Sequence, residues 1–212
     1  MIMNFKYEKN GDEIYKKSFA IIRSEANLDT FSKEEEKIVV RMIHASGSTS
    51  ISPKVKFSKN FVKKAKAAVR SGGNIICDTN MVKYGITKSR LPTNNSIICT
   101  LNEDEVFSIS KQIGNTRTAA AAELWGPYIK GALVAIGNAP TCLFHLLELL
   151  NKKKLPKPEA IIGFPVGFVG AMESKQDLFI NNNQIESCII EGRLGGSAMT
   201  VAAVNAILSE KE

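Results

Sequence analysis

The stretch ALVAIGNAPT (residues 132–141) contains the three local signals from which the fold is predicted. Its apolar run, Ala132–Ile136, is too short to form a stable helix and is typical of a strand that is buried on both faces. A turn containing glycine follows, and a helical segment is predicted over Pro140–Asn151. The stretch therefore predicts a strand, a tight turn and a helix in succession.

The same pattern recurs along the chain. Four further short apolar runs are predicted strands: Ile75–Cys77, Ile97–Cys99, Ala160–Ile162 and Cys188–Ile190. Other helical segments are predicted at Thr116–Trp125, Met172–Phe179 and Ser197–Leu208. Alternating strands and helices are typical of a parallel sheet, and right-handed crossovers place helices on both of its faces. The sequence therefore predicts an α/β fold of three layers, doubly wound around a mainly parallel sheet of five strands.

Three additional helices are predicted before this sheet. The first, Asp12–Ala26, has one apolar stripe at helical spacing, formed by Tyr15, Phe19, Ile22 and Ala26. The second begins at Ser32, which matches a capping box with Glu35, and it ends near Gly47, because glycine suits the left-handed position after a helix. The third spans Ser58–Arg70.

The composition indicates a single domain, residues 1–212, in a reducing compartment. The 28 Lys and Arg residues outnumber the 21 Asp and Glu residues, which favours an anionic partner such as nucleic acid, a membrane surface or a polycarboxylate. The four cysteines form no CxxC pair and lie in or beside apolar runs, so buried thiols are favoured over disulfides or zinc ligands. The N-terminus is polar, and glycine and proline interrupt the longest apolar stretch, residues 160–172. We therefore expect a cytoplasmic protein with no membrane partner.

Three predicted strands end in turns rich in glycine, at residues 136–141, 163–170 and 192–197. In a parallel sheet these turns emerge at the carboxyl edge of the strands, where open α/β sheets bind ligands. Their backbone N–H groups and the helix N-termini that follow favour an anion. Each turn alone is equally typical of a tight connection, and none matches a P-loop or a GxGxxG motif.

The two histidines have different surroundings. His145 lies within an apolar run, which is typical of a core histidine. His44 lies near the end of the second predicted helix, on the same face as Lys37 and Arg41, where the helix C-terminus favours the protonated imidazole. Because imidazole can donate and recover a proton near neutral pH, His44 is the candidate acid catalyst, although a solvated surface histidine has the same pattern. No second ligand stands at metal-binding spacing, so no metal site is predicted.

Six motifs resemble those of the precorrin-8X methylmutase family, which includes the cobalt-precorrin-8 methylmutases. In chain order they are Arg41–Gly47, Cys77–Val82, Thr116–Ala121, Gly137–Thr141, Pro165–Ala171 with Glu173–Lys175, and Gly192-Arg193 with Gly195–Ser197. The resemblance extends in the same order from about Tyr15 to Ile207, which makes it far more specific than any single motif.

The resemblance implies an isomerase with a flavodoxin-like fold that forms a homodimer. It implies a reaction in which a methyl group moves from carbon 11 to carbon 12 of a corrin-like ring. The substrate would be precorrin-8X or cobalt-precorrin-8, and the product hydrogenobyrinate or cobyrinate, in cobalamin biosynthesis. No organic cofactor is implied, and any cobalt is carried by the substrate.

The resemblance also implies the site residues. His44 matches the proton donor and acceptor, and Ser18, Arg41 and Arg117 match residues that contact the substrate. Five more residues of the shared motifs are expected to bind it: Thr116, Asn138, Gly167, Lys175 and Arg193. A corrinoid with many carboxylates fits the net positive charge and the guanidinium groups. Without the resemblance, Lys175 and Arg193 would be interpreted as solvated charges.

Some points stay open at this level. Relatives usually have an aspartate shortly after the histidine and glycine, where this chain has Ser48. A non-catalytic corrinoid carrier is the alternative function, and it should bind normally without His44. A nucleic-acid-binding domain should cluster basic residues with exposed aromatics; they are scattered here, so we expect no nucleic-acid partner. The sequence does not decide between metal-free and cobalt-containing substrate, although the Lys-, Ile- and Asn-rich composition favours the latter.

Overall fold

The chain forms helices and short strands through the residues that the computed structural model describes, 4–180 and 185–209. The α-helices of these residues are α1 Gly11–Glu25, α2 Lys33–Ser46, α3 Phe61–Arg70, α4 Asn80–Gly85, α5 Val106–Ile113, α6 Arg117–Glu123, α7 Pro140–Asn151, α8 Ala171–Ile180 and α9 Ser197–Leu208. The strands are β1 Val55–Phe57, β2 Ile75–Cys77, β3 Ile97–Ile98, β4 Leu133–Ile136, β5 Ala160–Gly163 and β6 Glu186–Ile190. Short 3-10 helices span Thr49–Lys54 and Lys88–Arg90.

The strands form one mainly parallel sheet in the order β1-β6-β5-β4-β2-β3. Five strands are parallel, as predicted, and β1 is antiparallel to β6, with Val55 opposite Ile190 and Phe57 opposite Cys188. The predicted count of five strands is therefore wrong. The missed strand has only three residues, with a lysine in the middle, and such a run gives no recognisable period.

The direction of winding reverses between β2 and β4. The chain runs from β2 outward to the edge strand β3 and then returns to β4, which lies on the other side of β2. A reversal of this kind opens a crevice at the carboxyl ends of the two strands, where ligands bind in open α/β sheets. The turns that follow β2 and β4 are therefore positioned to form part of a binding edge.

Two cores lie on the two faces of the sheet. Along β4, Leu133 and Ala135 join the core beneath α2, α3 and α9, whereas Val134 and Ile136 join the core beneath α7 and α8. This alternation follows from the two-residue period of a strand that is covered on both faces. The predicted arrangement of three layers is confirmed. All four cysteines are buried and unpaired, also as predicted.

The ends of α2 are determined locally. Ser32 and Glu35 form the predicted capping box, and Gly47 ends the helix with a φ of 64°, its N–H donating to Ile43 O. The 3-10 helix Thr49–Lys54 then leads into β1, which begins opposite the last residue of β6. The chain thus passes from the end of α2 to the carboxyl edge of the sheet within eight residues.

Helix α3 begins later than predicted, at Phe61 rather than at Ser58. The hydroxyl of Ser58 donates to the carboxylate of Glu186, and the backbone N–H of Asn60 donates to the same carboxylate at 2.9 Å. Because Glu186 lies on the neighbouring strand β6, this contact could not be inferred from the local sequence. Among the described helices, none is long and apolar enough to cross a bilayer.

Candidate active site

His44 lies in the last turn of α2 and is held against α1. Its Nδ1 is 2.8 Å from the hydroxyl oxygen of Ser18. Its ring packs against Tyr15, with centroids 5.4 Å apart, and edge-on against Phe19 at 5.5 Å. These contacts fix the plane of the imidazole, although the side chain remains exposed.

The second ring nitrogen of His44 is available for proton transfer. Within the part of the chain that the structure describes, no group forms a hydrogen bond with Nε2. In the protonated state Nδ1–H donates to Ser18, and Nε2–H faces away from this contact. His44 can therefore donate a proton through Nε2 and take it back at the same atom.

A groove of about 460 Å³ lies on this side of α1, and we call it the His44 groove. Ser18 and His44 supply polar atoms to it, and Ile14, Ile21 and Ile22 of α1 supply apolar surface. The sequence places Ser18, Ile14 and Ile21 on one side of α1 because they recur at helical spacing. The groove combines a proton donor with an apolar wall, which suits a large, flat organic ring.

A second groove, of about 650 Å³, lies on the other side of α1, and we call it the Arg41 groove. The guanidinium of Arg41 lies over the rings of Tyr15, at 5.6 Å, and Phe19, at 5.0 Å. Partial burial lowers the pKa of Arg41, and the nearby positive charge of Arg90 lowers it further. Tyr15 and Phe19 thus form a ridge with His44 on one side and Arg41 on the other. Tyr15 was predicted in the apolar stripe of α1, but it is exposed because it belongs to this ridge.

Asp78 connects the two turns at the reversal of the sheet. Its buried carboxylate accepts hydrogen bonds from the N–H groups of Gly137 at 3.0 Å, Asn138 at 2.8 Å and Ala139 at 3.1 Å. Burial raises the pKa of Asp78, and these hydrogen bonds act in the opposite direction. The carboxylate therefore fixes the turn that presents the exposed side chain of Asn138. The sequence analysis assigned no role to Asp78. Its position could have indicated one, because an acidic residue directly follows a predicted buried strand there.

Backbone hydrogen bonds join the turn after β5 to the turn after β6. Gly196 N–H donates to Phe164 O at 2.8 Å, and Gly167 N–H donates to Arg193 O at 3.2 Å. The exposed guanidinium of Arg193 lies 5.0 Å from the centre of the Phe168 ring. The predicted binding residues Gly167 and Arg193 are therefore neighbours.

Lys175 is a buried cation beneath these turns. Its side chain is 0% exposed, and its Nζ donates to the backbone carbonyl of Leu194 at 2.6 Å. Burial lowers the pKa of Lys175 to about 8. The interpretation of Lys175 as a solvated charge is wrong, because α8 directs it inward under the turn after β6. Its role as a substrate contact stays a prediction.

Thr116 and Arg117 lie near the other end of the sheet. Arg117 donates to Leu101 O and to the side chain of Asn102, both at 3.3 Å, just beyond the edge strand β3. Thr116 Oγ1 is 2.8 Å from Thr141 Oγ1, at the start of α7. Neither residue lines the His44 groove or the Arg41 groove. The structure thus brings Ser18, Arg41 and His44 together but separates Arg117 from them.

The remaining histidine and the departure at Ser48 are also explained. His145 is buried, as predicted, and its Nε2 lies 2.8 Å from a carboxylate oxygen of Glu123. The hydroxyl of Ser48 lies 2.7 Å from that of Ser50, a contact within its own loop. Among the described residues, the one that forms a hydrogen bond with His44 is Ser18, twenty-six residues earlier in the chain.

Comparisons with known proteins identify the relatives of this chain. The model of the CbiC family, described as precorrin-8X methylmutase, matches residues 13–210. A precorrin-8X methylmutase of Sinorhizobium sp. is 51% identical over 96% of both chains. A cobalt-precorrin-8 methylmutase of Methanocaldococcus jannaschii is 32% identical over 95% of this chain and 94% of its own. The crystal structure of a precorrin-8X methylmutase from Thermus thermophilus superposes with a TM-score of 0.84 at 33% identity, covering 93% and 95% of the two chains. Because the family model matches residues 13–210, and because relatives in sequence and in fold cover more than nine tenths of the chain, this protein belongs to the precorrin-8X methylmutase family.

Proposed function

We propose that this chain moves a methyl group from carbon 11 to carbon 12 of precorrin-8X and so forms hydrogenobyrinate in cobalamin biosynthesis. The observation that carries the proposal is the imidazole of His44, which Ser18 holds through Nδ1 at 2.8 Å beside a largely apolar groove, while no described residue forms a hydrogen bond with its Nε2. An isomerisation leaves the atoms of the substrate unchanged, so any proton given to the ring must be returned. A single histidine that donates and accepts at one atom meets this requirement.

The proposed sequence of events needs one proton and no other group from the protein. His44 donates a proton from Nε2 to the macrocycle, which becomes electron-poor, and the methyl group then migrates between neighbouring carbons. Return of the proton to Nε2 restores the imidazolium and leaves the conjugated product. Ser18 accepts from Nδ1–H throughout, which keeps the ring in one orientation. In this scheme the protein carries no organic cofactor and no metal of its own.

The substrate carries several acetate and propionate groups, which call for cations and hydrogen-bond donors around the ring. Arg41 and Arg193 meet this need, since their guanidinium groups are accessible and stack on aromatic rings. We assign substrate contacts to the predicted set as well: Ser18, Thr116, Arg117, Asn138, Gly167 and Lys175. For Lys175 the contact would run through the turn that it supports, because its side chain is buried.

The metal-free substrate is favoured over the cobalt-containing one. The relatives of Sinorhizobium sp. and Pseudomonas aeruginosa, at 51% and 48% identity, carry the name precorrin-8X methylmutase. The relatives named for the cobalt-containing substrate are 31–35% identical. The amino-acid composition favoured the cobalt-containing substrate. Sequence identity to the named relatives is the more specific criterion, and it favours the metal-free substrate.

The proposal includes a homodimer of single-domain chains in the cytoplasm. The separation of Arg117 from the His44 groove supports the dimer, since a second copy offers a way to bring such a group to the substrate. The family match over residues 13–210 supports a single methylmutase domain. The order of the five parallel strands, 2-1-3-4-5 by position in the chain, supports a flavodoxin-like arrangement.

Turnover of the purified protein with and without His44 tests the proposal. His44→Ala should lower the rate by about 10²–10⁴-fold, the usual contribution of general acid–base catalysis, with little loss of stability because the side chain is exposed. The visible absorption of the product is followed with metal-free and with cobalt-containing precorrin-8. Ser46→Ala, an exposed position on the same helix end, serves as the matched control and should retain full activity.

The outcomes separate the two functions that the sequence left open. Near wild-type turnover in His44→Ala would remove the histidine from the mechanism. Tight binding of hydrogenobyrinate by a wild-type protein that converts neither substrate would instead indicate a corrinoid carrier. Conversion of the cobalt-containing substrate alone would reverse the substrate assignment.

A further inference from the structure

Two arginines face the same groove, on the opposite side of α1 from the His44 groove. Arg41 comes from α2, and Arg90 is the last residue of the 3-10 helix Lys88–Arg90. The two are close enough for the charge of Arg90 to lower the pKa of Arg41 by repulsion, in addition to the effect of burial. The fold therefore brings two like charges together from segments nearly fifty residues apart.

Neither guanidinium has an anionic partner among the described residues. Within residues 4–180 and 185–209, Arg41 and Arg90 form no ion pair and no side-chain hydrogen bond, whereas Arg23 of the same groove is paired with Glu36 at 2.7 Å. Asp12 also lines the groove, but it forms no ion pair with either arginine. Two neighbouring guanidinium groups that lack a counter-ion repel each other, and an anion placed between them would remove this repulsion.

The surroundings of Arg41 prepare it for a carboxylate. The rings of Tyr15 and Phe19 hold its guanidinium from one side, at 5.6 and 5.0 Å, which restricts its rotamers before any ligand arrives. A planar guanidinium offers paired N–H groups that match the two oxygens of a carboxylate. Arg90, which is exposed, can approach the same anion from across the groove.

We propose that Arg41 and Arg90 together bind one peripheral carboxylate of the corrinoid, with Arg90 as a residue that selects for the free acid. The inference rests on the proposed function, because it takes the ligand to be the substrate of His44. Arg41 and His44 are three residues apart on α2, so their side chains start about 5–6 Å from each other on one helix face. When Arg41 binds this carboxylate, the corrinoid ring to which the carboxylate is attached lies beside the ridge of Tyr15 and Phe19. The ring is then next to the imidazole of His44.

Binding of hydrogenobyrinate to the full-length protein tests the pair, with its visible absorption as the signal. Arg90→Gln should weaken binding about tenfold, the usual effect of losing one partly screened, charge-assisted hydrogen bond, and Arg90→Lys should weaken it less. Lys88→Gln, on the same 3-10 helix but outside the groove, is the matched control and should bind like the wild type. Asp12→Asn should bind at least as well as the wild type, because it removes an acid from the groove.

Three further measurements make the assignment specific. A hydrogenobyrinate derivative with its carboxylates converted to amides should bind wild type and Arg90→Gln equally. The affinity of the wild type should fall more steeply with salt than that of Arg90→Gln. In turnover, Arg90→Gln should raise KM about tenfold and change kcat by less than about threefold, because the contact lies away from the reacting carbons.

The outcomes distinguish this inference from the proposed function. Equal affinity of wild type and Arg90→Gln for hydrogenobyrinate, or an equal loss in Lys88→Gln, would overturn the carboxylate pair even if the wild type is an active mutase. A wild type without mutase activity would contradict the proposed function, while the difference between the variants in binding would still report on the pair. Removal of one of two like charges should leave the thermal midpoint unchanged or higher, so a folding defect is not expected to mask the result.

Discussion

Replacing Lys175 with methionine should change how the stability of the protein depends on pH. In the folded state the Lys175 side chain is fully buried, and among the described residues its ammonium group has one hydrogen-bond partner, the carbonyl of Leu194. Burial lowers its pKa from 10.5 to about 8. Since one pKa unit corresponds to about 1.4 kcal/mol, holding the charged form inside costs about 3 kcal/mol near neutral pH.

The sign of the pH effect follows from the two pKa values of Lys175. Between about pH 8 and pH 10.5 the unfolded chain still binds the proton that the folded chain has released. The free energy of unfolding therefore rises with pH in this window. The buried thiols of Cys77, Cys142 and Cys188, whose pKa values burial raises, act in the opposite direction in the same range. Comparison with Lys175→Met removes the thiol contribution, because both proteins share it.

At neutral pH, removal of the buried charge raises the free energy of unfolding of Lys175→Met by about 3 kcal/mol relative to the wild type. Loss of the hydrogen bond to the Leu194 carbonyl lowers it by about 1–3 kcal/mol. We therefore expect Lys175→Met to be as stable as the wild type or more stable at about pH 7, and less stable above about pH 10.5. Urea unfolding followed by circular dichroism, in the presence of a reductant, measures both proteins across this range. Lys63→Met, at an exposed position on α3, is the control and should track the wild type. A difference between wild type and Lys175→Met that is constant with pH would refute the reasoning.

Two further substitutions test the site. Ser18→Ala should lower kcat by up to about tenfold with little change in KM, because the hydroxyl orients Nδ1 of His44 at 2.8 Å but does not carry the transferred proton. The rate at which the visible absorption of the product appears measures this effect. A loss of rate as large as that of His44→Ala would indicate that Ser18 carries the proton. Gly195→Ala should lower the thermal midpoint by several degrees and weaken hydrogenobyrinate binding, because its Cβ would lie 2.6 Å from the carbonyl oxygen of Pro165 and force apart the turns after β5 and β6. A melting curve of Gly195→Ala identical to that of the wild type would contradict this prediction, because it would show that the two turns can separate without loss of stability.

The parts of the fold that the sequence predicted are those decided within a few residues. The bounds of α7 and α9 were predicted to the residue, and the capping of α2 by Ser32, Glu35 and Gly47 was predicted as well. Each of these features depends on an apolar period or on a cap that bonds to its own helix. Four of the five parallel strands were each misplaced by one or two residues at one end, because the apolar residues of a strand continue into the adjoining turn without a clear boundary.

The missed features depend on partners distant in the sequence. Strand β1 exists because β6 pairs with it, and α3 begins at Phe61 because Glu186 engages the residues before it. In the site, His44 was a candidate from its helix alone, but its contact with Ser18 depends on how α1 crosses α2. The inward direction of Lys175 likewise depends on the packing of α8 under the turn after β6. Periodicity in a single sequence carries no information about these contacts.

The positions of the positive charges are more informative about function than their excess. Most described ion pairs, such as those of Lys16 with Glu13 and Lys152 with Glu148, are exposed and contribute little to stability. Arg41, Arg90 and Lys175 are different, since no described carboxylate neutralises them, and Lys175 is buried and Arg41 half-buried. Such cations lower the stability of the free protein, which is the cost expected of groups that serve a ligand. Under the proposed function, Arg41 and Arg90 would meet carboxylates of the corrinoid directly, whereas Lys175 would act through the turn that it supports.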